Sequence, residues 1–211
     1  MILDKKMMSI FAFIRLFILL VGIALLEPGP ALAALEPGAL AISRPVAVVP
    51  QEGEEIDRPA PVLRPARLRI PAIGVDTAVE AVGEDDAGRM GTPTQVENVA
   101  WYEPGVAPGE IGNAVMAGHL DRADGKPAVF WALGKLRPGD EILVTDAGGA
   151  EYRFQVVQVA TYPYDKAPLA EIFGFSLRSR LNLITCRGRW DRKQRTYQER
   201  LVVFSEQVTG D

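Results

Sequence analysis

The chain has 211 residues, 48% of them hydrophobic, and a formal net charge of −4. That size suits one modest domain plus extensions, and the mild acidity excludes a globally basic nucleic-acid binder. The single cysteine, Cys186, excludes an internal disulfide framework and a multi-cysteine zinc site.

The N-terminus reads as an export segment. Lys5, Lys6 and Arg15 precede an uncharged apolar run from Leu16 to Leu26. That run is short of the roughly 20 residues a membrane span needs, and it suits a signal-peptide core. Ala31-Leu32-Ala33 then has the small-x-small pattern of a cleavage site after Ala33. The longer stretch Met7 to Leu26 could instead stay as a membrane helix, with Arg15 reaching back to the interface. Residues 1–26 are therefore read as signal peptide or membrane anchor. Either way the rest of the chain is expected outside the cytoplasm, because the positive flank stays inside.

Residues 27–65 form an expected extended linker. Eight of the chain's 16 prolines fall there, at 28, 30, 37, 45, 50, 59, 61 and 65, with an acidic run from Glu52 to Asp57. Proline density and like charge keep such a segment extended.

Residues 66–206 read as a β domain, followed by a short tail, 207–211. Arg67–Ile70 alternates polar and apolar residues, and Thr77–Val82 continues after a turn at Pro71–Val75. Asn113–Gly118, Glu141–Thr145, Glu151–Thr161, Leu181–Thr185 and Arg200–Ser205 are rich in Val, Ile, Tyr and Phe and read as strands. Asp146–Gly149 is the expected hairpin turn between two of them. Helical signal is short. Ala128–Leu133 and Pro168–Phe173 each suit a turn or two, the second opening on a proline. Many short strands with little helix predict an all-β barrel or sandwich.

Three residues stand out on this scaffold. Asn113–Gly118 stops at His119, the chain's one histidine, and Leu181–Thr185 stops at Cys186. Arg200 opens the last apolar run. A thiolate is a strong nucleophile, imidazole shuttles protons near neutrality, and a permanently charged guanidinium can donate to a developing oxyanion. Alternation puts Cys186 on the face of Ile184 and Arg200 on the face of Val202. Only the pairing register decides whether the two point the same way. The same alternation turns Thr185 away from the cysteine face, toward packing. Asp121 either orients the imidazole or, as Asp commonly does, shapes the following turn. Arg187, Arg189, Arg192, Lys193 and Arg195 crowd the segment after the cysteine against Asp191 alone. They read as a solvated hairpin loop or as a loop that recruits an anion near the site. Acidic residues are scattered, without an EF-hand-type loop, and no cofactor or metal is assigned.

At these residues the chain resembles a known family. Leu183-Ile184-Thr185-Cys186 looks like the sortase signature, in which a Leu-x-Thr-Cys strand end carries the nucleophile. Ala117-Gly118-His119 is similar to the family's histidine segment, and Arg200 before a Val-rich last strand matches its arginine. The start Arg69–Val75 resembles sortase openings, and His119-Leu120-Asp121 and Val129–Glu141 are similar to class F, the actinobacterial-type branch. Arg187-Gly188-Arg189-Trp190 departs from it, where class F relatives often carry small residues and a phenylalanine.

The resemblance implies an eight-stranded sortase β-barrel with one or two short helices. It implies a cysteine transpeptidase that cleaves a C-terminal sorting signal of the Leu-Pro-any-Thr-Gly kind. Cys186 would form the thioester, His119 would handle the proton, and Arg200 would steady the oxyanion or position the substrate. The implied partners are surface proteins bearing the sorting signal, an amine acceptor such as a cell-wall precursor, and the membrane through the N-terminal segment. No nucleic-acid partner is implied. The residues alone leave two other readings open: an exported cysteine peptidase that uses water, and a non-enzymatic secreted β-barrel binding module with a buried thiol.

Overall fold

The structure, a computed structural model, describes residues 64–208. The export segment, its cleavage site, nearly all of the Pro-rich linker and the last tail residues lie outside the described residues.

Eight strands close into one barrel in the order β1-β2-β3-β4-β7-β8-β6-β5. They are β1 (Pro65–Ile70), β2 (Val75–Val82), β3 (Val99–Tyr102), β4 (Gly112–Gly118), β5 (Glu141–Asp146), β6 (Glu151–Pro163), β7 (Ser179–Asp191) and β8 (Thr196–Gln207). Two neighbouring pairs, β2 with β3 and β4 with β7, run parallel. The remaining pairs are antiparallel. The expected all-β barrel is the observed fold. Regular helix among the described residues is one short α-helix, α1 (Leu169–Phe173), and the 3₁₀ turns Pro71–Ile73 and Leu133–Lys135.

Two apolar clusters hold the barrel together, one on each side of the sheet. Alternation on β7 and β8 sends Leu181, Leu183, Leu201 and Val203 into the barrel, where they meet Leu68, Phe130 and Phe154. The intervening Ile184, Val202 and Phe204 face outward and are covered by Ile172 of α1, with Leu169 and Phe173 packed beside it. Burial of both faces explains why Leu181–Thr185 reads as a continuous buried run. Two asparagines fasten the covering connection. Asn113 donates to the Gly174 carbonyl at 2.7 Å, and Asn182 donates to the Ile172 carbonyl at 2.8 Å.

Several boundaries differ from expectation. β3 was not predicted, because its four residues are almost wholly buried and show no alternation. β7 and β8 extend far beyond the predicted Leu181–Thr185 and Arg200–Ser205, and they leave only residues 192–195 as the turn. What reads as a loop from Arg187 to Gln198 is a two-stranded ribbon. Gly188, at φ 83, accommodates a bulge between Arg187 and Trp190. The Asp191 carboxylate accepts from the Lys193 and Gln194 amides at 2.8 and 3.1 Å and closes the turn. The Asp146–Gly149 hairpin forms as expected, with Asp146 accepting from the Gly148 and Ala150 amides.

Candidate active site

β4 and β7 run side by side and parallel, with Ala117 opposite Ile184. His119 and Cys186 each lie two residues beyond that pair, on the same side and at the same end of the barrel. Thr185 fixes the junction. Its buried Oγ1 donates to the Gly118 carbonyl at 2.8 Å, from the barrel side of the sheet. Gly118 is required by its neighbour, since a Cβ there would stand 2.6 Å from the Phe130 ring. The Phe130 amide in turn donates to the His119 carbonyl at 2.9 Å.

The register between β7 and β8 decides the orientation that alternation left open. Cys186 pairs directly with Arg200, and residues directly opposite in a ladder share a face. Neither residue ends a strand, in contrast to the sequence expectation; both sit within the long ribbon. Arg200 is 1% exposed and among the largest buried side chains. Its guanidinium donates to the Tyr197 and Glu199 carbonyls at 3.0 and 2.9 Å and to the Thr196 hydroxyl at 2.8 Å. It also lies 5.9 Å from the Tyr164 ring centroid, within cation–π range.

Burial works against charge on both titrating groups. It pushes the Cys186 thiol up, while the Arg200 guanidinium pulls it back down. It pushes the His119 imidazole down, and the Asp121 carboxylate and Pro93 carbonyl oppose that shift. The neutral thiol and neutral imidazole are thus the main forms near neutrality, and the thiolate–imidazolium pair is a minor one.

Asp121 does not shape the following turn through its side chain. Asp124 does so, accepting from the Lys126 amide at 3.1 Å. The Asp121 carboxylate instead accepts a hydrogen bond from the Tyr197 hydroxyl on β8. Tyr197, Thr196 and Tyr164 thus surround the candidate residues without having been singled out in the sequence. The β8 pair lay inside what read as a loop, and no spacing ties Tyr164 to Arg200.

Two cavities meet at Cys186. One, of about 220 Å³, lies over the barrel mouth between Phe130, Trp131, Lys135 and Arg187. The other, of about 520 Å³, runs between the His119–Gly125 segment and the ribbon, past Trp190, Arg195 and Tyr197. Trp131 and Trp190 are half exposed along them, whereas Trp101 is buried. Among the described residues no cluster of three or more His, Cys, Asp or Glu side chains could hold a metal.

A mixed eight-stranded barrel with a thiol, an imidazole and a buried guanidinium at one end defines a class of cysteine enzymes. A family model for the sortase domain matches residues 68–208. The chain belongs to the sortase family, a family of cysteine transpeptidases. Among solved structures it is similar to sortase C-1 from Actinomyces oris, at 22% identity and a TM-score of 0.54, over 69% of this chain and 72% of that one. It is similar to sortase A from Corynebacterium diphtheriae, at 21% and 0.54, over 72% of this chain and 62% of that one. It is also similar to sortase A from Listeria monocytogenes, at 22% and 0.53, over 70% and 88%. At these identities the structures speak for the fold. No curated protein sequence matches the chain.

Proposed function

We propose that the protein is an extracytoplasmic, membrane-anchored sortase that cleaves a Leu-Pro-any-Thr-Gly-like sorting signal and transfers the protein to an amine at the cell surface. The observation that carries this reading is the register pair Cys186–Arg200 beside His119, at the mouth of an open cavity. The thiolate of Cys186 attacks the carbonyl carbon before the scissile bond. Arg200 donates to the oxyanion that forms, and the His119 imidazolium gives its proton to the departing amine. A thioester remains on Cys186 until the acceptor amine attacks it. The motif resemblance supports a class F enzyme, with the basic Arg187–Trp190 segment as its departure. The apolar, positively flanked N-terminal segment supports the surface location.

The test is capture of the acyl-enzyme. The chain is incubated with a library of sorting peptides, and the adduct on Cys186 is read by intact mass. A thioester is expected with the parent and none with Cys186→Ala, whose fold loses only a sulfur atom. Cleavage by a folded Cys186→Ala protein would overturn the reading. Thioester decay in water alone, unchanged by any added amine, would replace the transpeptidase with a peptidase.

A further inference from the structure

The ribbon after Cys186 concentrates cations that no carboxylate among the described residues holds. Most arginines elsewhere on the barrel hold carboxylates, as Arg67 holds Asp76 at 2.6 Å and Arg178 and Arg180 hold Glu206 at 2.7 and 2.6 Å. On the ribbon, the side chains of Arg187, Arg189, Arg192, Lys193 and Arg195 make no hydrogen bond or ion pair with any described residue. The turn's own carboxylate, Asp191, is occupied by backbone amides. One of these cations has a defined place. Arg195 adopts φ 53, the only left-handed non-glycine among the described residues, and lines the larger cavity together with Cys186, His119 and Asp121. Arg122 also lines that cavity, but it is engaged by Glu97 at 2.6 Å.

The cavity therefore holds two opposite charges, Asp121 and Arg195, neither of which has an ion-pair partner among the described residues. Asp121 is met by the neutral Tyr197 hydroxyl, whose proton is held firmly because burial and the carboxylate push its pKa up to about 12. Arg195 offers a planar fork suited to carboxylate or phosphate. Trp190, edge-on to Tyr197 at 5.3 Å, adds an apolar wall. A volume of about 520 Å³ is enough for a small ligand.

We propose that this cavity selects the acceptor, and that the acceptor is an amine carrying a carboxylate or phosphate within a few bonds of its nitrogen. This rests on the transpeptidase reading above. The ammonium form is drawn to Asp121, and its anionic group docks on Arg195. After the amine loses one proton to solvent, its nitrogen attacks the thioester carbonyl. The new C–N bond forms, the C–S bond breaks, and sulfur leaves as the Cys186 thiolate. The second amine proton passes to His119, which regenerates the thiolate–imidazolium pair. Arg195 is here a specificity residue for the second half-reaction.

The test uses the full chain and the partition of one thioester between aminolysis and hydrolysis, a ratio that does not depend on how fast the thioester formed. The probes are glycylglycine against glycylglycinamide, and phosphoethanolamine against ethanolamine. At low salt the anionic member of at least one pair should win by about tenfold, and the pair that shows it names the anion. Arg195→Gln should collapse the preference, Arg195→Lys should retain part of it, and high salt should shrink it, because exposed charges are screened. Equal partition of both pairs, or a preference that survives Arg195→Gln, would overturn the proposal. So would a ribbon that binds anionic vesicles while showing no preference, since the charge would then serve a membrane. If no sorting peptide forms a thioester, the transpeptidase reading fails by itself. The same probe pairs titrated into the protein by NMR then decide the cavity, and equal binding of charged and neutral members overturns it.

Discussion

Arg200 is the sharpest point at which architecture and proposed chemistry can be separated. Arg200→Ala removes the donor to two carbonyls and one hydroxyl. A fully buried acceptor left without a partner costs about 1–3 kcal/mol, and of the three the Thr196 hydroxyl is buried and the two carbonyls part-buried. Releasing a desolvated cation offsets part of that sum, so a net loss of about 3 kcal/mol is reasonable. At roughly 2–4 °C per kcal/mol for a chain of this size, Tm should fall by roughly 6–12 °C. If Arg200 also donates to the oxyanion, acylation measured well below that Tm should drop about 100- to 1000-fold. Arg200→Lys keeps the charge but loses the fork, so it should recover more of the Tm than of the rate. Scanning calorimetry gives the first quantity, and the burst of released leaving peptide gives the second. A folded Arg200→Ala protein that acylates at the parental rate would reduce Arg200 to a structural strut. An unchanged Tm would refute the burial argument.

Three further outcomes follow from the same contacts. The reactive pair needs a thiolate and an imidazolium, while burial raises the thiol above its ordinary 9.0 and lowers the imidazole below its ordinary 6.5. The acylation profile should therefore be a bell with an acid limb below 6.5, an alkaline limb above 9.0 and a flat top between, the limbs belonging to the coupled pair; a single narrow maximum at 7 would contradict it. Gly118→Ala should cost about 1–3 kcal/mol through overpacking against Phe130 and should displace His119, so kcat should fall with Tm; a second substitution, Phe130→Leu, should recover both, and failure to recover either would refute the packing account. Glu80 accepts from Thr94, Gln95 and Asn98 in the segment that leads past Pro93, and despite the opposing effect of burial these bonds hold its carboxyl down at about 2. Its support of that segment is fully present above the ordinary 4.5 and is lost as pH falls toward about 2; hydrogen exchange should show segment 92–98 loosening in Glu80→Ala at neutral pH as it does in the parent in acid, and equal protection in variant and parent would contradict this.

The sequence made the barrel legible where one face is buried and the other is not, or where both are. Leu181–Thr185 and Glu141–Thr145 declared themselves through Ile, Val and Thr, and Asn113–Gly118 through its apolar run. It failed where the physics is not apolar. The outer halves of β7 and β8 form a ribbon with exposed charge on much of its surface, so neither alternation nor a buried run marks it. Gly188 there is a bulge inside a strand, although by itself it reads as a break. The candidate residues were legible because the chain offers one thiol and one imidazole. Their company was not, because the contacts of Tyr197 with Asp121 and of Tyr164 with Arg200 join segments with no sequence relation. Asp121 shows the limit best: two roles were open from spacing, and the structure assigns its carboxylate to a tyrosine on the far strand.

The mixed pairing of the barrel explains why those three side chains meet. His119 follows the C-terminal end of β4, and Cys186 lies past the last β7 residue paired with β4. In an antiparallel neighbourhood, residues so placed would lie at opposite ends of the sheet. The parallel pairing of β4 with β7 brings both to one end, and such a pairing needs a long crossover. The segment from Leu120 to Arg178 supplies it, containing β5, β6 and α1. β8 then returns antiparallel from the ribbon turn, so an arginine near its beginning meets a cysteine near the end of β7. One parallel step and one hairpin are enough to gather nucleophile, proton carrier and cation. The hairpin cannot be shortened to the turn a sequence reading suggests, because Thr196 and Tyr197, which brace Arg200 and Asp121, belong to its outer half. The ribbon is thus part of the site's frame, and it sets Arg195 on the wall of the cavity that opens at the thiol.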